Sequence, residues 1–122
     1  MHWIHLTDNH QLEQVVVRSQ ERPQVIFKHS TRCSTSSVVF NRLQKMACQR
    51  NIDFYFLDLV TYRDISDQVE ETFHVGHESP QILMIRNGEC RYQESHLGIN
   101  PDDLLATITE ISPAPAPAPV KA

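Results

Sequence analysis

No Cys-x-x-Cys pair occurs in this 122-residue sequence, and its three cysteines, Cys33, Cys48 and Cys90, lack the paired spacing of a zinc site. An odd count also excludes a framework in which every cysteine pairs within the chain. No apolar run approaches the ~20 residues that a membrane-spanning helix needs. The opening residues, Met1-His2-Trp3-Ile4-His5, contain no basic stretch followed by an apolar one, so no secretory signal is expected. Cations do not dominate: 11 Lys and Arg stand against 15 Asp and Glu, a net charge of −4. That balance supplies no basic patch of the size a nucleic acid requires. There are no internal repeats. With 40% apolar and 21% charged residues, the composition is that of a soluble globular protein, and the length fits one domain. Unpaired thiols suit a reducing, cytoplasmic compartment.

The most informative stretch is Val25-Ile26-Phe27-Lys28-His29-Ser30-Thr31-Arg32-Cys33-Ser34-Thr35-Ser36-Ser37. An apolar run ends in a polar turn that carries one cysteine, and a helical pattern begins at once. A thiol at a helix start meets amide groups without intrahelical partners and the positive end of the helix dipole. Both favour the thiolate, which is the nucleophile. Arg32 and Lys28 add positive charge nearby. Cys33 is therefore read as reactive; the alternative is a small packing residue that happens to begin a helix.

Elsewhere the pattern alternates strand and helix. Residues 3 to 6 form a short first strand. Thr7 or Asp8, the latter with Gln11 at capping-box distance, opens a helix whose face is Leu12, Val15 and Val16, and Pro23 closes it. Residues 24 to 29 form a buried strand. Val39, Leu43 and Met46, with Phe40 and Ala47 beside them, predict a helix over 34–50. Residues 53 to 60 are strand-like. Ile65, Val69 and Phe73 make a third helix, capped by Asp64 or Ser66. Residues 81 to 86 and 89 to 93 flank the hairpin signal Asn87-Gly88. Asn100-Pro101-Asp102-Asp103 starts a last helix that buries Leu104, Leu105, Ile108 and Ile111. Tyr62, Phe40 and Phe73 are assigned to the core. Residues 1–111 thus form one domain, and 112–122, rich in proline and alanine, an extended tail. The order β α β α β α β β α predicts an α/β, thioredoxin-like fold. Its central mixed sheet is flanked by helices on both faces.

The sequence resembles the monothiol bacilliredoxins, thioredoxin-fold proteins tied to the low-molecular-weight thiol bacillithiol. The likeness runs through Phe27-Lys28-His29-Ser30-Thr31-x-Cys33-x-x-Ser36, then Arg63-x-x-Ser66, Val75-x-His77-Glu78-Ser79-Pro80-Gln81, Asn87-Gly88 and Ser95-His96-x-x-Ile99. It departs at Ser34, where the family usually has proline; serine leaves one more N–H to face the sulfur. The resemblance implies that Cys33 attacks mixed disulfides between client proteins and bacillithiol, and that a second thiol then reduces it. It implies a cis Ser79–Pro80 bond facing Cys33; composition alone favours a trans proline opening an edge strand. Thr31, Arg32, Ser36, His77, Ser79 and Pro80 become candidates for stabilising the thiol or binding substrate. His77 is expected beside Cys33, where a cationic imidazole stabilises a thiolate. Ser36 sits where a dithiol enzyme places its resolving cysteine, although serine also favours helix starts in its own right.

The expected partners are bacillithiolated client proteins and a low-molecular-weight thiol, with bacillithiol as co-substrate, no bound cofactor or metal, no nucleic acid and no membrane. Cys48 and Cys90 are read as packing or surface residues, with a resolving role as the alternative. Two other functions fit the pattern less well. One is a non-catalytic thioredoxin-fold binding or adaptor module. The other is an iron–sulfur carrier of the monothiol glutaredoxin type, whose usual glycine-phenylalanine pair is here Ser34-Thr35.

Overall fold

The computed structural model describes residues 1–47, 49 and 51–111, without the side chains at 110 and 111. The expectations for Cys48, for Ile111 as a buried residue and for the 112–122 tail lie outside the described residues. The elements are β1 (Ile4–His5), α1 (Asn9–Arg18), β2 (Gln24–His29), α2 (Ser34–Gln44), β3 (Asp53–Asp58), α3 (Arg63–Phe73), β4 (Gln81–Arg86), β5 (Glu89–Ser95) and α4 (Pro101–Ile111). A single 3-10 turn, His96–Gly98, joins β5 to α4. The sheet order is β1-β3-β2-β4-β5. β1, β3 and β2 run parallel, while β4 is antiparallel to β2 and β5 to β4. This is the α/β, thioredoxin-like order that the sequence predicts.

The period of two along each strand divides the core. Val25, Phe27, Phe54, Ile82 and Met84 face α2 and α4 and pack with Val39, Leu43, Leu104 and Ile108. Ile26, Tyr55, Leu57, Leu83 and Ile85 face the other way and pack with Leu12, Val15, Ile65, Val69 and Phe73 from α1 and α3. Phe73 is buried, and Phe40 and Tyr62 pack partly buried against these clusters. Phe27 stacks on Phe40 with ring centroids 6.0 Å apart and is fully buried, so its loss to alanine costs about 3–5 kcal/mol.

The caps explain the boundaries. The Asp8 carboxylate accepts from the Gln11 amide at 2.8 Å, and the Gln11 side chain accepts from Thr7 N at 2.7 Å. Asn100 Oδ1 accepts from the amides of Asp102 and Asp103 at the start of α4. Two expectations need correcting. α2 ends at Gln44 rather than near residue 50. Met46 N bonds Leu43 O at 3.0 Å, a tightened turn that leaves the helix yet still buries Met46. α3 begins after Tyr62, and neither Asp64 nor Ser66 caps it. Asp58 organises its approach by accepting from the amides of Val60 and Thr61, which leaves Ser66 inside the helix and buried.

Candidate functional site

β2 and β4 are antiparallel neighbours with Lys28 opposite Gln81. The turn after β2 and the loop before β4 therefore lie at the same end of adjacent strands. The first carries Thr31, Arg32 and Cys33; the second carries His77, Ser79 and Pro80. Topology thus brings the predicted site residues to one end of the sheet. The Ser79–Pro80 peptide bond is cis, the form the resemblance implies.

Cys33 is the N-cap of α2, with extended backbone (φ −117°, ψ 117°). Its carbonyl accepts from Ser36 N at 3.1 Å and Ser37 N at 3.3 Å. The side chain makes no capping hydrogen bond, so the extra amide at Ser34 is not drawn onto the sulfur. The thiol is unpaired and partly exposed. Thr31 and Arg32 beside it are exposed.

The Ser36 hydroxyl is engaged by the turn before Cys33. It is fully buried, accepts from Ser30 N at 3.1 Å and lies 2.8 Å from His29 Nδ1. The hydroxyl keeps its proton and a second lone pair for Nδ1, so the direction of this bond follows the tautomer of His29. Burial pushes the His29 imidazole below its ordinary value, against a weaker opposing pull from Asp58. The ring packs among Phe27, Phe40 and Phe56 at 5.2–5.8 Å. Ser36 thus fixes the turn that presents Cys33.

His77 bonds toward β2 and α3. Its Nδ1 meets Lys28 Nζ at 3.4 Å and Ser66 Oγ at 3.3 Å. Burial, then the charges of Lys28 and Arg63, lower its pKa, so it is poorly suited to act as a cation for a thiolate. Lys28, read from sequence as a charge near the thiol, turns to the sheet face opposite α2 and is fully buried there. Strand parity was the signal: Lys28 alternates with Phe27 and His29, which face α2. Ser79 lies next to the cis bond with its hydroxyl buried and unpaired. Pro80 O accepts from His96 N at 2.9 Å, and His96 Nε2 lies 3.4 Å from Glu78.

The second described cysteine differs. The Cys90 thiol donates to Tyr92 O at 3.3 Å, and burial raises its pKa. That environment favours the inert thiol. Among the described residues no group of three His, Cys, Asp or Glu side chains converges as metal ligands do. Nor is any described helix long and apolar enough to cross a membrane.

A lone cysteine at the start of the helix after a central strand, across from a cis-proline loop, defines a thioredoxin-fold protein of the one-cysteine kind. Its solved neighbours agree. A protein described as having a thioredoxin fold, and provisionally as an oxidoreductase, is 32% identical; 85% of this chain and 91% of that one align with a TM-score of 0.74. Thioredoxin from Trypanosoma brucei brucei aligns over 90% of each chain at 14% identity and TM-score 0.71. Mitochondrial thioredoxin 3 from Saccharomyces cerevisiae aligns over 88% of this chain and 94% of its own, at 18% identity and TM-score 0.66. These two share the fold. Residues 4–104 match the family described as monothiol bacilliredoxin BrxC, and the chain belongs to that family. Family and neighbours together support a thiol redox role.

Proposed function

We propose that this protein is a monothiol thiol–disulfide oxidoreductase that removes bacillithiol from protein mixed disulfides. The observation that carries the reading is the environment of Cys33: unpaired, partly exposed and at a helix N-terminus, with a buried serine three residues on. The Cys33 thiolate attacks the bacillithiol sulfur of the mixed disulfide. A Cys33–bacillithiol S–S bond forms as the client S–S bond breaks. The client cysteine leaves as a thiolate with the electron pair and takes its proton from solvent. Ser36 cannot form a disulfide, so a second low-molecular-weight thiol attacks Cys33–S–S–bacillithiol. That step frees the Cys33 thiolate and leaves the two small thiols joined. The exposed Arg32 and Thr31 flank the incoming thiol, and the Ser79–Pro80 backbone borders it on the other side. The cytoplasm is the compartment in which such exchange with free thiols proceeds.

Intact-protein mass spectrometry tests this, using a model protein that carries a bacillithiol mixed disulfide and a glutathione one in parallel. The wild type gains the mass of bacillithiol, Cys33→Ser does not, and the model protein emerges with a free thiol. Preferential transfer from glutathione changes the co-substrate and keeps the chemistry. Failure to transfer either, although Cys33 alkylates, refutes catalysis and leaves a thiol-binding module.

A further inference from the structure

Lysine is seldom fully buried, yet Lys28 has no exposed surface. Its register partner Gln81 lies across the antiparallel β2–β4 pair and so shares its face of the sheet. Gln81 is also fully buried. Its amide nitrogen donates to Gly76 O at 3.0 Å and to Gln93 Oε1 at 3.3 Å, while its own Oε1 has no partner. From the loop, His77 Nδ1 meets Lys28 Nζ, and the Ser66 hydroxyl converges on the same nitrogen from α3. The charged groups facing this cluster are Arg63, Asp67 and Glu70, all on α3. Burial lowers the pKa of Lys28, with Glu70 and Asp67 opposing and Arg63 reinforcing.

We propose that Lys28 and His77 are positioning residues of the exchange site. They fasten the 75–80 loop to β2 from the rear face of the sheet, so that Ser79 and Pro80 stay beside the Cys33 turn, and protonation of His77 releases the loop. This rests on the thiol-exchange reading above. An ammonium can only donate, so Nδ1 must hold an unprotonated lone pair toward Lys28. A proton added there replaces the lone pair with an N–H aimed at a buried cation. Repulsion from the ammonium turns the imidazolium away, and the tie between β2 and the loop is lost. What remains are the bonds at Gly76 and Pro80, the exposed Glu78–His96 pair, and Ser66 Oγ, which can accept from the new N–H but ties His77 to α3 and not to β2.

The test uses the full chain between about pH 4.5 and 8, carried to the acid side because burial and Lys28 hold His77 below the ordinary imidazole value of ~6.5. Two rates are measured: alkylation of Cys33 by iodoacetamide, resolved by peptide mass spectrometry, and transfer from the bacillithiolated model protein. Alkylation reports the accessible thiolate alone, so the ratio of transfer to alkylation removes that contribution. In the wild type the ratio falls about fivefold on acidification, the effect of one lost hydrogen bond. In His77→Gln, whose side chain accepts from Lys28 but takes no proton, the ratio is independent of pH. Lys28→Met, which fills the same space without charge, lowers the ratio about fivefold at high pH. A flat ratio in the wild type, or an equal slope in His77→Gln, overturns the proposal. If Cys33 alkylates but transfer is absent at every pH, the exchange reading is what fails. The latch is then decided by the amide resonances of Ser79 and Gln81. Shifts that follow the His77 titration and vanish in His77→Gln support it, and shifts that do not follow it refute it.

Discussion

The Ser36 hydroxyl lies 2.8 Å from His29 Nδ1 and accepts the Ser30 amide proton, tying the last residue of β2, the turn and the first turn of α2 into one buried unit. A cysteine at position 36 would resolve an intermediate; this serine instead holds the frame on which Cys33 is mounted. Ser36→Ala therefore leaves the buried Ser30 N–H and the His29 Nδ1 unpaired. The expected cost is about 1–3 kcal/mol, read as a lower urea midpoint at unchanged slope. The His29 pKa lies below its ordinary value, so the stability due to the neutral ring is fully present above pH ~6.5. That stability is lost as the pH falls through the lower folded value. The gap between wild type and Ser36→Ala should narrow over that acid range. A gap that stays constant with pH would show that Ser36 does not act through His29.

The two described free cysteines, Cys33 and Cys90, should separate cleanly by reactivity. Cys33 is partly exposed at a helix start, and Cys90 is held as a thiol by burial, which outweighs the opposing backbone contacts at Tyr92 and Met84. In the native protein near pH 7.5, iodoacetamide should label Cys33 at least about tenfold faster than Cys90. Peptide mapping after brief labelling measures the ratio. Equal rates would remove the basis for singling out Cys33.

Much of this arrangement was legible because its signals are local. The run Val25-Ile26-Phe27 announces a central strand, and Asn100-Pro101-Asp102-Asp103 a helix start, since each preference acts within a few residues. Asn87 (φ 55°) and Gly88 (φ 76°) adopt the left-handed backbone that their hairpin turn requires. The position of Cys33 as N-cap follows from the same short-range pattern. What was not legible depends on contacts across elements. The periodic stripe Val39, Leu43, Met46 continues past Gln44 in sequence, but Met46 reaches the core from a turn. Ser66 reads as a cap, yet it sits inside α3 facing a histidine eleven residues on. Lys28 and His77, 49 residues apart, meet only once β2 and β4 are paired.

At the far end of the sheet from Cys33, Asp53 opens β3 and gathers three side chains. Arg18 Nε and Gln24 Nε2 donate to Asp53 Oδ2 at 2.8 and 2.7 Å, and Arg22 Nε lies 3.6 Å from Oδ1. Burial alone would raise the Asp53 carboxyl. The hydrogen bonds from Arg18 and Gln24 and the charges of Arg22 and Arg18 outweigh it and hold the group below the usual carboxylate range. A depressed carboxylate contributes stability that is fully present above its unfolded value of ~3.9 and is lost as the pH falls through the lower folded value. Arg18 is partly exposed and solvent screens it, so Asp53→Asn should cost only about 1 kcal/mol near neutral pH. The difference between wild type and variant in urea unfolding should stay constant down to about pH 5 and shrink below about pH 4. Because the network lies at the opposite end of β2 from Cys33, the labelling rate of Cys33 should be the same in both proteins. A difference that grows as the pH falls would show that the ionised carboxylate is not the stabilising form.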